Sequence, residues 1–330
     1  MHITVLGAGA WGTALAAALA PRHEVRLWGR DGAALSSIAA TRRNDRYLPG
    51  IELPAALRCT GELATAVAHA RHGMLLVATP TAALRDLTRQ LRGIAALPPI
   101  VWLCKGLERS SAAMAHEIFR DELGNHPAGP LSGPSFAQEV AKGLPTALTV
   151  AGHDSFCLLV TEALHGPALR IYSTHDVVGV EVGGAVKNVM AIATGICDAL
   201  ALGHNARAAL ITRGLAEITR FGMALGAQAA TFMGLTGVGD LILTCTGELS
   251  RNRQVGLMLG RGLPLREALD RLGHVAEGVW SAAAVRSRAA SLSVRMPITE
   301  AVCAVLEERV APRQALDRLL ARQPKREGLQ

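Results

Sequence analysis

The sequence predicts an α/β fold with two parts: a doubly wound, mostly parallel sheet in the N-terminal half, followed by an all-helical C-terminal half. Three observations predict this division. Short apolar runs alternate with helix-compatible segments up to about residue 176, and a glycine-rich turn directly follows the first run. Beyond residue 176 the strand signal disappears. Such alternation is typical of βαβ units, whose crossover helices cover both faces of a parallel sheet.

The strands predicted in the first half are short apolar or β-branched runs, at 2–6, 24–28, 74–78, 100–103, 146–150 and 168–172. An Ala/Leu-rich helix is predicted at 10–20, and a second helix begins at Asp31. The second half is rich in Ala, Leu, Glu and Arg, with helices predicted at 177–202, 206–225, 251–259, 265–272, 276–290 and 298–308. We expect domains at 1–176 and 177–330, and disorder only near 324–328.

Composition excludes several classes of protein. The chain has 330 residues, is half apolar and carries a formal net charge of +7, so it can bury a large core. Its basic residues are mostly scattered arginines, which argues against a nucleic-acid-binding stripe. The six cysteines are at least 40 residues apart, so the sequence offers no metal-ligand pair and no disulfide framework.

The first 20 residues resemble a signal peptide in their apolar character. They have no Lys or Arg before the apolar stretch, however, and they carry glycines at fixed offsets. Later apolar runs are all interrupted by glycine or charge. We therefore expect a cytoplasmic protein without stable membrane insertion, and a reduced one.

A glycine-rich turn follows the first predicted strand. The residues Gly7, Gly9 and Gly12 form a G-x-G-x-x-G motif that ends with Ala10, Trp11 and Gly12 at the start of a helix. The first glycine allows the tight turn, the second lets a pyrophosphate approach the backbone, and the third lets helix and strand pack closely. The helix N-terminus then binds the anion. This context predicts a Rossmann domain that binds a dinucleotide.

The end of the second predicted strand is where a Rossmann domain selects its cofactor. An acidic residue there binds the ribose hydroxyls of NAD, whereas an arginine accommodates the 2′-phosphate of NADP. This chain has Arg30 followed by Asp31. Arg30 favours NADP, and Asp31 is either a ribose ligand or only a helix N-cap. We therefore expect use of both NADP(H) and NAD(H).

Several polar residues lie where a functional role would explain them. Lys187 interrupts an apolar helix, Lys105 follows the buried strand at 100–103, and Asp240 follows a Gly-Val-Gly turn. The segment from Ser250 to Arg253 opens a helix and suits an anion. Each has an ordinary alternative: a lysine that extends to water, an N-cap, or solvated arginines. Together they match a reductase, which must bind an anionic group and protonate an alkoxide.

Four motifs make the chain resemble the bacterial type of NAD(P)-dependent glycerol-3-phosphate dehydrogenase over nearly its whole length. They are residues 7–13 (GAGAWGT), 132–139 (SGPSFAQE), 181–195 with its Lys187-Asn188 pair, and 237–241 (GVGDL) continuing to Arg251-Asn252-Arg253. Ala10 departs from the family, which often has serine there.

This resemblance implies reversible reduction of dihydroxyacetone phosphate to sn-glycerol 3-phosphate, which supplies glycerophospholipid synthesis. It implies that Lys187 is the proton donor and acceptor at C2, and that Arg251 and Asn252 bind the substrate phosphate. The full substrate set that it implies is Lys105, Gly133, Ser135, Lys187, Asp240, Ser250, Arg251 and Asn252. The cofactor set is Gly7, Gly9, Ala10, Trp11, Gly12, Arg30, Lys105, Ala137, Arg251, Val275 and Glu277, with no metal. Thr244, four residues after Asp240, would share the pocket if that segment is helical.

Two other functions remain as alternatives. A related reductase of 3-hydroxy acids or ketopantoate would share the two-domain plan and a Lys-Asn pair, but the 133–137 and Asp240 segments argue against it. A DNA-binding sensor of NAD(H) would need a helix-turn-helix or a basic cluster, which the sequence does not show. The sequence leaves open whether the protein is a monomer or a homodimer, and which cofactor it prefers.

Overall fold

The computed structural model describes residues 1–273 and 275–321, and it divides into two compact units. Unit 1 comprises Met1–Cys104 and Ala115–Val177, and unit 2 comprises Lys105–Met114 and the chain from Val178 onwards. The short segment Lys105–Met114 therefore belongs with the second half of the chain, although it lies within the first half of the sequence. The disorder predicted near 324–328 lies outside the described residues.

Unit 1 is built on one sheet, and the described residues contribute eight strands to it. They are β1 His2–Leu6, β2 Glu24–Trp28, β3 Arg58–Thr60, β4 Met74–Val77, β5 Ile100–Trp102, β6 Ala128–Ser132, β7 Thr146–Ala151 and β8 Leu169–Thr174. Their order across the sheet is β3-β2-β1-β4-β5-β6-β7-β8. The chain reverses its direction of crossover between β1 and β4, which is where doubly wound sheets bind their ligands.

The first six strands are parallel, as the sequence predicts for most of the sheet. The exception is the antiparallel pairing of β6 with β7, after which β8 again runs parallel to β7. Six strands agree with prediction to within a residue or two. Two strands were not predicted from the sequence: β3, a three-residue edge strand, and β6, whose sequence AGPLS contains two residues that disfavour strands. Pairing with β5 and β7 forms β6 in spite of this composition.

The helices of unit 1 follow the strands in the expected alternation. They are α1 Ala10–Leu19, α2 Gly32–Thr41, α3 Leu63–His69, α4 Leu84–Arg92, α5 Ala115–Leu123, α6 Ala137–Ala141 and α7 Asp154–Leu164. Fully buried apolar side chains of the strands and of α1, such as Ile3, Val5, Leu15 and Leu76, form the core of this unit. Burial on both faces explains why the central strands are continuously apolar rather than alternating.

All the regular secondary structure among the described residues of unit 2 is helical. Its helices are α8 Val177–Ala199, whose first residue still belongs to unit 1, α9 Gly203–Ala224, α10 Asp240–Thr246, α11 Arg251–Gly260, α12 Leu265–Leu272, α13 Glu277–Ser291, α14 Pro297–Leu306 and α15 Pro312–Leu320. The positions predicted for six of them agree closely with the structure. Two short turns of helix, at Ala229–Met233 and Leu235–Gly239, lead into α10.

Helix α8 is the central helix of unit 2. It is the one described helix that is long and apolar enough to cross a membrane, yet 89% of its most apolar window is buried inside the protein. Glycines let its neighbours approach: a Cβ on Gly195 would lie 2.2 Å from the Arg253 carbonyl oxygen, and one on Gly183 would lie 2.2 Å from that of Thr236. Helix α8 is therefore held directly against α11 and against the turn that precedes α10.

Candidate active site

The glycine-rich turn of unit 1 is fixed by backbone contacts at its two ends. Gly7 has a positive φ of 128°, and its N–H donates to the Trp28 carbonyl at 2.8 Å. A Cβ on Gly7 would lie 2.8 Å from the backbone of Ala78, and one on Gly12 would lie 2.0 Å from the Gly7 carbonyl oxygen. Both positions therefore require glycine because of close backbone approach.

The middle of the turn is open. A Cβ on Gly9 would meet no heavy atom within 4 Å, and no side chain caps the N-terminus of α1. The first-turn N–H groups, including those of Ala10, Trp11 and Gly12, have no intrahelical partners by geometry. An open surface lined by helix N-terminal donors is a suitable site for a pyrophosphate. The residues present therefore fit the dinucleotide that the sequence implies.

Arg30 and Asp31 follow the end of β2, where a Rossmann domain selects its cofactor. The Asp31 side chain accepts a hydrogen bond from the Ala34 N–H at 3.0 Å and caps α2, which confirms the N-cap interpretation. Arg30 is exposed. Its guanidinium is therefore available to a nucleotide.

Strand β6 ends in the segment that the resemblance assigns to substrate and cofactor. Gly133 has a positive φ of 138°, the Ser135 hydroxyl donates to the Gly133 carbonyl at 2.9 Å, and Ala137 begins α6. The buried hydroxyl oxygen of Ser132 has no hydrogen-bond partner among the described residues. Because β1 and β6 run in the same direction, this segment and the glycine-rich turn lie at the same edge of the sheet.

In unit 2, two lysines share one buried carboxylate. The Lys187 amine on α8 donates to Asp240 Oδ1, and the Lys105 amine donates to Asp240 Oδ2 at 2.9 Å. Lys187 also donates to the Thr244 hydroxyl at 2.9 Å. Asp240 is fully buried, and Lys187 is 6% exposed. The structure thus brings together three side chains that are far apart in sequence, and it adds Thr244, as the helical spacing within α10 predicted.

Burial and charge shift the pKa of Lys187 in opposite directions. Loss of solvation is the largest effect and lowers the pKa, the Asp240 carboxylate raises it, and the positive charge of Lys105 lowers it. The net result is a pKa of about 7. A lysine with this pKa interconverts between its charged and neutral forms near neutrality, which suits a group that both donates and accepts a proton.

A chain of side-chain amides connects α8 to two other helices. The Asn252 Nδ2 donates to the Asn188 side-chain oxygen at 2.9 Å, and the Gly278 N–H at the start of α13 donates to the Asn252 side-chain oxygen at 2.9 Å. Asn188 also donates to the Lys105 carbonyl at 3.4 Å. Asn188 belongs to one of the four sequence motifs, but its role could not be predicted, because nothing in the sequence shows which residue its amide contacts.

The N-terminus of α11 carries the predicted phosphate site. The Ser250 side chain caps this helix by accepting from the Arg253 N–H, and Arg253 is held by an ion pair with Asp198 at 2.6 Å. Arg251 is exposed as a residue, but desolvation of its guanidinium by neighbouring groups lowers its pKa, and the Glu277 carboxylate raises it. Val275, which lies two residues before the start of α13 at Glu277, is also exposed. A guanidinium at a helix N-terminus is well suited to a phosphate.

The predicted residues are divided between the units. Lys105, Lys187, Asp240, Arg251 and their neighbours in the substrate set belong to unit 2, together with Val275 and Glu277. The glycine-rich turn, Arg30 and the 133–137 segment belong to unit 1. Among residues 1–273 and 275–321, no group of three or more His, Cys, Asp or Glu side chains could bind a metal ion.

Comparison with known families identifies this arrangement. The N-terminal profile of NAD-dependent glycerol-3-phosphate dehydrogenase matches residues 2–157, and the C-terminal profile matches residues 176–317. The chain belongs to the NAD-dependent glycerol-3-phosphate dehydrogenase family. The family predicted from the four motifs is thereby confirmed.

Relatives within this family cover the whole chain. Glycerol-3-phosphate dehydrogenase [NAD(P)+] of Paucimonas lemoignei is 59% identical, over 100% of this chain and 99% of that protein. The enzyme of the same name from Herminiimonas arsenicoxydans is also 59% identical, over 99% of both. The crystal structure of glycerol-3-phosphate dehydrogenase from Coxiella burnetii matches with a TM-score of 0.93 at 41% identity, covering 97% of this chain and 98% of that one.

The alternative reductase is also present among structurally similar proteins, but far more distantly. An Enterococcus faecalis protein named as a putative 2-dehydropantoate (ketopantoate) 2-reductase superposes with a TM-score of 0.53 at 13% identity. Similarity at this level shows a shared fold only. The comparisons therefore favour the glycerol-3-phosphate dehydrogenase family over the ketopantoate alternative.

Proposed function

We propose that this chain catalyses the reversible NAD(P)H-dependent reduction of dihydroxyacetone phosphate to sn-glycerol 3-phosphate. The observation that carries the proposal is the buried Lys187 amine, which shares the Asp240 carboxylate with Lys105 and has a pKa of about 7. Family membership supplies the reaction class, and this cluster supplies the acid–base group that the reaction needs.

Lys187 is the group that moves the proton. When bound, the nicotinamide cofactor supplies the hydride that reaches C2 of the ketone. The protonated Lys187 amine donates its proton to the developing C2 oxyanion, and in the reverse direction the neutral amine accepts it. General acid catalysis of this kind contributes about 10²–10⁴ in rate. Asp240 orients the amine, and burial, together with the positive charge of Lys105, keeps the pKa of Lys187 low enough for release of the proton.

The substrate phosphate is assigned to the N-terminus of α11. Arg251 supplies a guanidinium, Ser250 and Asn252 hold the first turn of that helix, and the helix dipole favours the anion. Fixing the phosphate positions C2, which reduces the entropic cost of reaching the transition state. Lys105, Gly133 and Ser135 complete the proposed substrate set.

The cofactor is assigned to the glycine-rich turn of unit 1. The pyrophosphate would lie on the N–H groups of Ala10, Trp11 and Gly12, with the open face of Gly9 beneath it. Arg30 would contact the 2′-phosphate of NADP, so the enzyme uses NADPH and, less efficiently, NADH. The remaining proposed contacts are Gly7, Lys105, Ala137, Arg251, Val275 and Glu277.

We also propose that the enzyme acts in the cytoplasm, where its product supplies glycerophospholipid synthesis. Six free cysteines, all within the described residues, agree with a reducing compartment. The sequence leaves monomer and homodimer open, and sedimentation of the purified protein at several concentrations distinguishes them.

Initial rates test the proposed function directly. The purified protein should oxidise NADPH in the presence of dihydroxyacetone phosphate and should use NADH with lower kcat/KM. Ketopantoate is the matched control, since the alternative reductase would prefer it. Faster turnover of ketopantoate than of dihydroxyacetone phosphate would contradict the assignment.

A further inference from the structure

The loop between α2 and β3 contacts the glycine-rich turn through the side chain of Asn44. Asn44 lies in the connection between α2 and β3, and its Nδ2 atom donates to the Ala8 carbonyl at 3.0 Å and to the Thr13 hydroxyl at 2.8 Å. Asn44 is only 4% exposed and Thr13 is fully buried. Buried hydrogen bonds of this kind are costly to leave unmade.

The two acceptors lie on either side of Gly9. Ala8 precedes it, and Thr13 lies in the first turn of α1, where its N–H donates to the Gly9 carbonyl at 2.9 Å. Gly7 and Gly12 are constrained by close backbone contacts, but Gly9 has open space above its Cα atom. The amide of Asn44 therefore links the residues on either side of Gly9, where the turn leaves space for a ligand.

The loop that carries Asn44 is anchored in the core of unit 1. Leu48, Ile51 and Leu53 are buried, and the Leu48 N–H donates to the Asn44 carbonyl at 2.7 Å. The Leu53 N–H donates to the Arg42 carbonyl at 2.8 Å, which closes the base of the loop. These contacts fix the backbone of Asn44, so its side chain can act as a rigid brace.

We infer that Asn44 is a positioning residue for cofactor binding: its amide holds the Ala8–Thr13 segment in the conformation that presents the helix N–H groups to a pyrophosphate. Asn44 acts through the turn and not by contact with the cofactor. The inference rests on the proposed use of NAD(P)H. It applies to binding of either cofactor, because the pyrophosphate is common to both.

Fluorescence titration of NADH and NADPH, together with steady-state rates, tests this inference. Asn44→Ala removes both hydrogen bonds and should raise the Kd of both cofactors by roughly tenfold, since each neutral hydrogen bond contributes about as much as a few-fold change in affinity. Thr13→Val removes one acceptor at nearly constant volume and should raise them about threefold. The kcat at saturating cofactor and the KM for dihydroxyacetone phosphate should stay near wild type.

Leu164→Ala is the matched control, because it also destabilises the core of unit 1 but lies at the end of α7, outside the loop that carries Asn44. It should lower the melting temperature at least as much as Asn44→Ala but leave the cofactor Kd close to wild type. Unchanged cofactor Kd values in Asn44→Ala and Thr13→Val, or an equal rise in Leu164→Ala, would overturn the role of Asn44. Failure of the wild type to bind either cofactor would instead overturn the proposed function.

Discussion

At the glycine-rich turn of unit 1 the groups assigned to the pyrophosphate are backbone N–H groups, whereas in unit 2 the groups assigned to the ligands are mainly side chains. The glycine-rich turn is shaped by residues that lack a side chain, and its donors are contiguous in sequence. The Lys187 cluster joins Lys105, Asp240 and Thr244, which approach one another only in the folded protein. Substitutions should therefore act on these two sites in different ways: by deletion of a functional group at the Lys187 cluster and by addition of bulk at the glycine-rich turn.

The largest effect is expected at Lys187. Lys187→Met keeps the apolar stem of the side chain and removes the amine, so kcat should fall by about 10²–10⁴ while cofactor binding survives. Lys142→Met, at an exposed position of unit 1, is the control and should retain wild-type turnover. Steady-state kinetics with titration of NADPH measure both properties. Turnover of Lys187→Met within a few-fold of wild type would show that Lys187 is not the acid–base group.

The next largest effect is expected at the proposed phosphate site. Arg251→Ala removes the guanidinium and should raise the KM for dihydroxyacetone phosphate by roughly 10–100-fold, because a hydrogen bond to a charged group contributes about 1.5–3 kcal/mol. Arg266→Ala, on the exposed surface of α12, should leave that KM unchanged. If Arg251→Ala had the wild-type KM, the phosphate would have to bind elsewhere.

Two glycines of the turn sharpen the contrast within unit 1. Gly9→Ala adds a methyl group into open space, so the free protein should keep its melting temperature while the KM for NADPH rises about tenfold. Gly12→Ala forces a Cβ to 2.0 Å from the Gly7 carbonyl oxygen and should reduce the free energy of unfolding by about 1–3 kcal/mol. Thermal denaturation and NADPH kinetics of both variants test whether Gly9→Ala weakens cofactor binding and Gly12→Ala weakens stability.

The smallest effect is expected at Arg30. Arg30→Ala should raise the KM for NADPH a few-fold and leave that for NADH nearly unchanged, because only NADP carries the 2′-phosphate. Asp31→Ala removes the cap of α2 and should lower stability by about 1 kcal/mol with no change in cofactor preference. If Asp31→Ala rather than Arg30→Ala lost the preference for NADPH over NADH, Asp31 would be the residue that selects the cofactor.

The same contrast explains how much the sequence could predict. The turn was predictable because a strand, three glycines and a helix start are contiguous, and so was the alternation that defines the sheet. Strand β6 was missed because tertiary pairing overrides the local preferences of Gly129 and Pro130. The roles of Asn44 and Asn188 could not be predicted, since their partners depend on how loops and helices pack.

If Lys187 exchanges a proton with the C2 oxygen, kcat for reduction and kcat for oxidation should depend on pH in opposite ways. Reduction needs the charged amine, so its kcat should fall as the pH rises through about 7, whereas oxidation needs the neutral amine and its kcat should rise over the same range. Titration of the substrate phosphate would instead change kcat for reduction and kcat for oxidation in the same direction. Parallel pH profiles, or profiles flat across neutrality, would contradict the account.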